Sequence, residues 1–337
     1  MKYVNMGNTG LKVSQLAIGT WHLPGSGTMN NGVENVDINL SEKIMHSAYD
    51  KGINFFDTAN IYHGRVENNE EHIECTGNSE SILGNAFAGY ERESLVISTK
   101  VRGPMGKFPN GEGLSRKHIM WQVRESLKRL KTDYVDLYQF HWSDNETPLE
   151  ETARAMSHIV DLDLARYIGM SNVNYGDIDR LFNIAKSMNL NRYSTIQEPY
   201  NLLNREIEAD KIRAAQKYNL CLLAYVPLAQ GILTGKYLDG KSTSGTRLSY
   251  YPELKKEIEN TYEAVRKLEE FAREKDATPS QVAIKWIIEK GRQLNITIIP
   301  LLGITKIEHL EDNIKALELN LDSSDIGYLD EINKFVD

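Results

Sequence analysis

Cysteine is scarce: the 337-residue chain has two, Cys75 and Cys221, far apart in sequence. Such a pair makes no disulfide framework, and a reducing, cytoplasmic setting is expected. Long apolar runs are missing too. No segment approaches the roughly 20 apolar residues of a membrane span, and the opening MKYVNMGNTGLKVSQLAIGTW holds no apolar core of signal-peptide length. Basic residues are scattered and the formal net charge is −8, so neither a nucleic-acid partner nor an anionic membrane surface is expected. The eight histidines lack H-x-x-x-H and H-E-x-x-H spacing and the cysteines lack C-x-x-C, so no metal is expected. No P-loop or G-x-S-x-G occurs, which disfavours nucleotide triphosphate hydrolysis and serine-esterase chemistry. The dinucleotide motif G-x-G-x-x-G is incomplete: GSGTMN at 25–30 has its first two glycines and not the third.

What is present is a globular composition, 41% hydrophobic and 26% charged, without repeats, linkers or low-complexity tracts. Eight short apolar runs recur, at 16–21, 53–59, 94–100, 134–141, 165–172, 194–200, 220–226 and 295–302. They are nearly continuous rather than alternating, as in parallel strands covered on both faces. Helix signals lie between them. Ser41 reads as an N-cap with Gly52 as the stop. Ser115 caps a helix carrying Ile119, Val123, Leu127 and Leu130 on one face. Thr278, Pro279 and Gln281 form a capping box ahead of a helix ending at Gly291. The expected fold is therefore α/β, a (β/α)8 TIM barrel over a single domain of residues 1–337, preceded by an N-terminal β-hairpin turning at Asn8-Thr9-Gly10. Residues 63–80 read as a long acidic loop, with Glu67, Glu70, Glu71 and Glu74, either solvated or a substrate lid. Residues 240–253 read as a second loop. Cys221 reads as a small buried side chain.

In such a barrel, function sits at the C-terminal strand ends. Those ends are Trp21, Asp57, Lys100, His141, Ser171 with Asn172, Gln197, and Tyr225. Neighbouring strands lie roughly 4.8 Å apart, so Asp57, Lys100 and His141 can meet, and Tyr62 on the following loop can fold over them. Singly, each has an ordinary reading: a cap, a surface charge, a core histidine, a packing tyrosine. Together, a carboxylate, an ammonium, an imidazole and a phenol at one mouth would be costly without a use.

FFDTANIY, VISTK, DLYQFHW, YIGMSN and AYVPLAQGILTGKY occur in this order, with GNTGLKVSQLAIGTW before and IIPLLGITKIEHLEDN after them. This series resembles the aldo-keto reductases over about residues 1–320, in the branch with bacterial reductases and potassium-channel β subunits. The resemblance implies an oxidoreductase moving hydride between a nicotinamide and a small carbonyl compound or sugar, with Asp57, Tyr62, Lys100 and His141 as catalytic residues. Tyr62 would be the general acid/base, its pKa lowered by Lys100, with Asp57 holding the ammonium and His141 the substrate oxygen. Cofactor positions would be Thr20, Trp21, Asp57, Ser171, Asn172, Gln197, Tyr225, Val226, Pro227, Leu228, Gly231, Lys236, Arg247, Gly303, Thr305, Lys306, His309, Asp312 and Asn313. Val226 departs from the family's usual serine or threonine, and His309 stands where many NADPH-specific relatives have arginine. Lys306 and Arg247 still favour NADP(H) over NAD(H). Trp21, His22, Tyr62, His141 and Trp142 would line the substrate entry. A cofactor-sensing regulatory module is the alternative, and the sequence leaves a homo-oligomer open.

Overall fold

The computed structural model describes residues 1–30, 33–65, 70–238, 248 and 254–336. It opens with an antiparallel hairpin, β1 (Tyr3–Asn5) and β2 (Lys12–Ser14). Its turn passes under the barrel at Gly7, whose φ is +57° and where a Cβ would come within 2.6 Å of the Ser194 carbonyl. Only glycine fits that approach. After β3 (Ala17–Gly19), a second hairpin, β4 (Gly25–Asn30) and β5 (Val33–Val36), leads to α1 (Ile38–Asp50). Then β6 (Phe55–Asp57), α2 (Asn78–Ala86), β7 (Val96–Val101), α3 (Arg116–Leu130), β8 (Val135–Phe140), α4 (Leu149–Asp161) and β9 (Ala165–Ser171) alternate. The series continues with α5 (Tyr175–Ser187), β10 (Tyr193–Pro199), α6 (Lys211–Tyr218), β11 (Cys221–Tyr225), α7 (Leu254–Glu274), α8 (Pro279–Gln293), β12 (Ile298–Gly303), α9 (Ile307–Lys315) and α10 (Ser323–Ile332).

The eight strands β3, β6, β7, β8, β9, β10, β11 and β12 pair in parallel and close into the expected (β/α)8 barrel. Side chains alternate across each strand. In β6, Phe56 packs outward with the helices while Phe55 packs into the barrel. The barrel's lower interior is apolar, with Phe55, Val96, Leu137, Cys221, Leu223 and Ile299, and the hairpin residues Met6 and Val13 plug it from below. One step further along the strands the inward positions turn polar, and the site begins there.

Several local readings hold. Ser115 caps α3 by accepting from the His118 N–H, Thr278 and Gln281 form the full capping box on α8, and Cys221 is fully buried. Others are corrected. α1 is capped by Asp37, which accepts from the Leu40 N–H; Ser41 lies one turn inside and donates to the Asp37 carbonyl. α8 runs past Gly291 to Gln293 because Gly291, facing the Ile296 carbonyl and Ile298, is packed into the helix's buried side. The 63–80 segment is not all loop: Glu70–Cys75 forms a 3-10 turn and α2 begins at Asn78. Glu67 and Arg247 lie outside the described residues.

Thr278 does two jobs, since its hydroxyl caps α8 and also donates to Asp312 of α9 at 2.9 Å. Thr278→Ala should lower unfolding free energy by about 1–2 kcal/mol, a cap plus a hydrogen bond. Urea titration reads this as a lower midpoint at unchanged slope.

Candidate active site

The polar layer is built by strand period and register. Asp57 pairs in register with Ser98, and Lys100 with Gln139. All four side chains point inward with the apolar ring below them. Asp57, 2% exposed, receives hydrogen bonds on Oδ1 from Ser98 Oγ at 2.9 Å, Gln197 Nε2 at 3.1 Å and Gln139 Nε2 at 3.4 Å. Its other oxygen accepts from Lys100 Nζ at 2.5 Å. Gln139 is braced in turn, its Oε1 accepting from Thr195 Oγ1 at 3.1 Å. Gly169 makes room for that pair, because a Cβ there would run into Thr195 Oγ1.

Lys100 is fully buried and also donates to the Thr58 carbonyl at 2.8 Å. Its remaining hydrogen reaches Tyr62 Oη at 3.4 Å, and Tyr62 Oη lies 3.4 Å from His141 Nε2. The four groups predicted from sequence thus form a chain from carboxylate to ammonium to phenol to imidazole. Among the described residues, His141 Nδ1 is buried without a hydrogen-bond partner. A bare lone pair is tolerated there better than an orphaned N–H, so the ring proton belongs on Nε2, facing Tyr62.

Burial governs the protonation states. It pushes the Tyr62 phenol well above the ordinary tyrosine range, and the Asp57 charge adds to that rise. This reverses the expected lowering by Lys100: the ammonium's charge is largely neutralised by Asp57, and desolvation wins. Burial also lowers Lys100, against the pull of Asp57. His141 is held well below its ordinary value by burial and then by Lys100, so the imidazole is neutral.

Around the phenol, Ala59, Ile61 and Tyr62 pack with Trp21, Met105 and Trp142 into a small apolar wall. Trp142 lies 4.8 Å from the His141 ring, centroid to centroid, and carries the Arg102 guanidinium 4.9 Å from its own ring centre. His22 meets Arg65 Nη1 at 2.9 Å, and Arg65 is ion-paired to Glu34 of the second hairpin. The segment beyond Tyr62 is tied back to it, with the Ser79 N–H donating to the Tyr62 carbonyl at 3.0 Å. Sequence reasoning passed over Ser98 and Gln139, although a glutamine inside YVDLYQF is itself an inward polar signal. It also passed over Ile61, Met105 and Arg102.

The positions implied for a nicotinamide cofactor fall into two groups. At the mouth, Tyr225 Oη donates to Asn172 Oδ1 at 2.8 Å, and Asn172 Nδ2 donates to the His141 carbonyl at 2.9 Å. Ser171 Oγ donates to the Gln197 carbonyl at 2.8 Å, and the Thr20 N–H donates to the Asp57 carbonyl at 2.9 Å. After β11 the chain passes Pro227 and Leu228, and Val226, Ala229, Gln230 and Gly231 all have φ between +44° and +94°. A β-branched residue in that region is a genuine outlier, of the kind kept at binding sites. Lys236 Nζ lies over this loop, where a Cβ on Gly231 would meet it at 2.7 Å.

In the second group, Gly303 ends β12 with open space over its Cα, and Thr305 leads into α9. The N-terminus of α9 has Lys306 as N-cap with no side-chain cap, leaving first-turn N–H groups to an outside acceptor. Burial lowers His309, and the charges of Lys306 and Lys236 add to it, so three basic groups share one neighbourhood. A phosphate-bearing dinucleotide fits this donor set. Asp312 accepts from Thr278 and from Gln281 Nε2 at 2.6 Å, and Asn313 is buried.

Residues 15–334 match the aldo/keto reductase family. An uncharacterised oxidoreductase of Bacillus subtilis is 36% identical over 338 residues, covering 98% of this chain and 96% of the relative. A probable voltage-gated potassium channel subunit beta of rice (Oryza sativa subsp. japonica) is 34% identical, over 95% of this chain and 92% of the relative. The L-glyceraldehyde 3-phosphate reductase of Escherichia coli K12 is 32% identical, over 98% of this chain and 92% of the relative.

Proposed function

Because the chain belongs to the aldo/keto reductase family, we propose that its barrel mouth reduces the carbonyl of a small aldehyde, ketone or aldose, or runs the reverse oxidation. The proposed redox partner is NADP(H), with NAD(H) second. The observation that carries this reading is the contact chain Asp57–Lys100–Tyr62–His141, with Tyr62 Oη 3.4 Å from both Lys100 Nζ and His141 Nε2.

A carbonyl oxygen gains negative charge as it is reduced, and fixed donors must meet it. His141 Nε2–H and Tyr62 Oη–H would both meet that oxygen. Tyr62 gives up its proton to the oxygen, and the Lys100 ammonium stabilises the phenolate left behind. Asp57 keeps that ammonium in place. When bound, the dinucleotide supplies the hydride. Trp21, Asp57, Ser171, Asn172, Gln197 and Tyr225 would hold its nicotinamide end, the 226–236 loop its pyrophosphate, and Thr305, Lys306, His309 and Asn313 its adenosine end. The Lys236, Lys306 and His309 cluster supports a 2′-phosphate and hence NADP(H).

The test is purified protein with NADPH or NADH and a panel of aldehydes, aldoses and ketones, followed at the nicotinamide absorbance. Oxidation of NADPH by at least one class is expected, with weaker apparent affinity for NADH. The name of the rice relative motivates a second reading, a cofactor-sensing binding module with slow turnover. Tight nucleotide binding with no consumption across the panel would favour it over the enzyme.

The protonation states also fix a pH profile. Tyr62 is raised, so it stays a proton donor through the alkaline range. Lys100 is lowered, so its charge is lost first as pH rises, below the ordinary lysine value of about 10.4. His141 is lowered, so nothing in its charge changes as pH falls through its ordinary value of about 6.5. The rate of reduction should be flat across neutral pH and fall on an alkaline limb set by Lys100. An acid limb centred near the ordinary histidine value would contradict this assignment.

A further inference from the structure

We propose that Arg102 gives the barrel mouth a preference for carbonyl substrates carrying an anionic group, carboxylate or phosphate, remote from the reacting carbon. The proposal rests on the reductase reading and names its substrate class.

Arg102 follows directly on β7, which ends at Val101, so the strand end that delivers Lys100 to the quartet also delivers this guanidinium. Its backbone is unusual, with φ +146° in a non-glycine residue, and its carbonyl is held by the Gly113 N–H at 2.8 Å. Gly103 seats the turn against the wall of the site: a Cβ there would strike Ile61 and stand 3.3 Å from the Trp142 ring. The guanidinium carbon consequently lies 4.9 Å from the centre of the Trp142 indole, the same indole that contacts His141.

The charges around it leave capacity for a ligand. Glu112 Oε2 reaches Arg102 Nη1 at 3.3 Å in a single contact, and the Glu112 side chain is 53% exposed, so water screens the pair. Asp144 feels the Arg102 charge, but its oxygens already accept from the Leu114 N–H at 2.7 Å, Thr147 Oγ1 at 2.8 Å and the Glu146 N–H at 2.9 Å. His118, also near, is lowered chiefly by burial and further by Arg102, and so adds no positive charge beside it. Arg102 Nε is buried, but the side chain as a whole is 24% exposed, so part of the guanidinium is open to a ligand from solvent. A planar, partly exposed fork laid on an aromatic face is an arrangement that recognises carboxylate or phosphate oxygens. Lys100 is neutralised by Asp57 beneath the phenol and Arg65, beside His22, is ion-paired to Glu34, and the donors above Lys100, Tyr62 and His141, are neutral groups suited to a carbonyl.

The experiment compares matched substrates in wild type, Arg102→Met and Arg102→Lys. Succinic semialdehyde is set against butanal, and glyceraldehyde 3-phosphate against glyceraldehyde, which separates carboxylate from phosphate. Wild type should favour the anionic member of at least one pair. In Arg102→Met the anionic-to-neutral ratio of kcat/KM should fall by about 10- to 100-fold, through KM, as expected for one charge-assisted contact, and Arg102→Lys should restore part of it. In parallel, succinate and inorganic phosphate are titrated against tryptophan fluorescence, with Trp142→Phe identifying the reporter. A saturable response present in wild type and lost in Arg102→Met supports the site even if no aldehyde is reduced, in which case the reductase reading alone fails. Neutral aldehydes turned over with no anionic preference, together with no Arg102-dependent titration, overturn the anion site and leave the reductase reading intact. If neither turnover nor titration appears, both are overturned.

Discussion

Tyr62→Phe is expected to bind the nicotinamide cofactor as wild type does and to lose turnover by about 10²- to 10⁴-fold, the contribution of a positioned proton donor. The substitution removes one oxygen and keeps the ring that packs with Ala59, Ile61, Trp21, Met105 and Trp142. That wall therefore survives. What disappears is the group that spans Lys100 Nζ and His141 Nε2, 3.4 Å from each. Neither neighbour can replace it: His141 is neutral and held below its ordinary value, and the buried Lys100 is committed to Asp57 and the Thr58 carbonyl. Steady-state rates and fluorescence titration of cofactor, on the same preparation, separate chemistry from binding. Turnover within a few fold of wild type would remove Tyr62 from the mechanism.

Lys100→Met should lose turnover and stability together. Methionine fills most of the lysine volume, but it strands the Asp57 carboxylate in a place that is 2% exposed. Breaking a buried pair in this way costs about 3–5 kcal/mol. The low end is expected, because Ser98, Gln139 and Gln197 still donate to Asp57 Oδ1. Adding Asp57→Leu to Lys100→Met should recover much of the stability, since an apolar pair of similar volume is tolerated where an orphaned charge is not. It should recover no turnover, because the phenolate then lacks its ammonium. Denaturant unfolding of the single and double variants measures the first effect, and the nicotinamide assay the second. Full stability in Lys100→Met would mean that Asp57 takes up a proton there and the ion pair is not what holds the layer.

The barrel was legible because its strands are apolar on both faces, so each appears as a short continuous run, and because Asp57, Lys100 and His141 break those runs at the same end. Tyr62 followed from its distance to Asp57. The pairing of β4 with β5 was not legible: GSGTMN has no alternation of apolar side chains. The α1 cap was misplaced because Asp37 and Ser41 both suit a helix start, and only the path of the chain from Pro24, whose carbonyl accepts from the Asp37 N–H, decides between them. Gln139 and Ser98 are visible as polar residues in apolar strands, yet their target, Asp57, is set by register across the barrel. The direction of the Tyr62 shift was also hidden. A sequence displays the charge of Lys100 but not the burial that outweighs it.

We propose that this mouth delivers a hydride to carbon and a proton from Tyr62 to oxygen. NADPH carrying deuterium at the transferable position, incubated with the best aldehyde of the panel, tests it most directly. The expected product is an alcohol with deuterium on the former carbonyl carbon, formed by wild type and nearly abolished in Tyr62→Phe. An alcohol with no deuterium on that carbon, or one formed equally fast without the phenol oxygen, would contradict it.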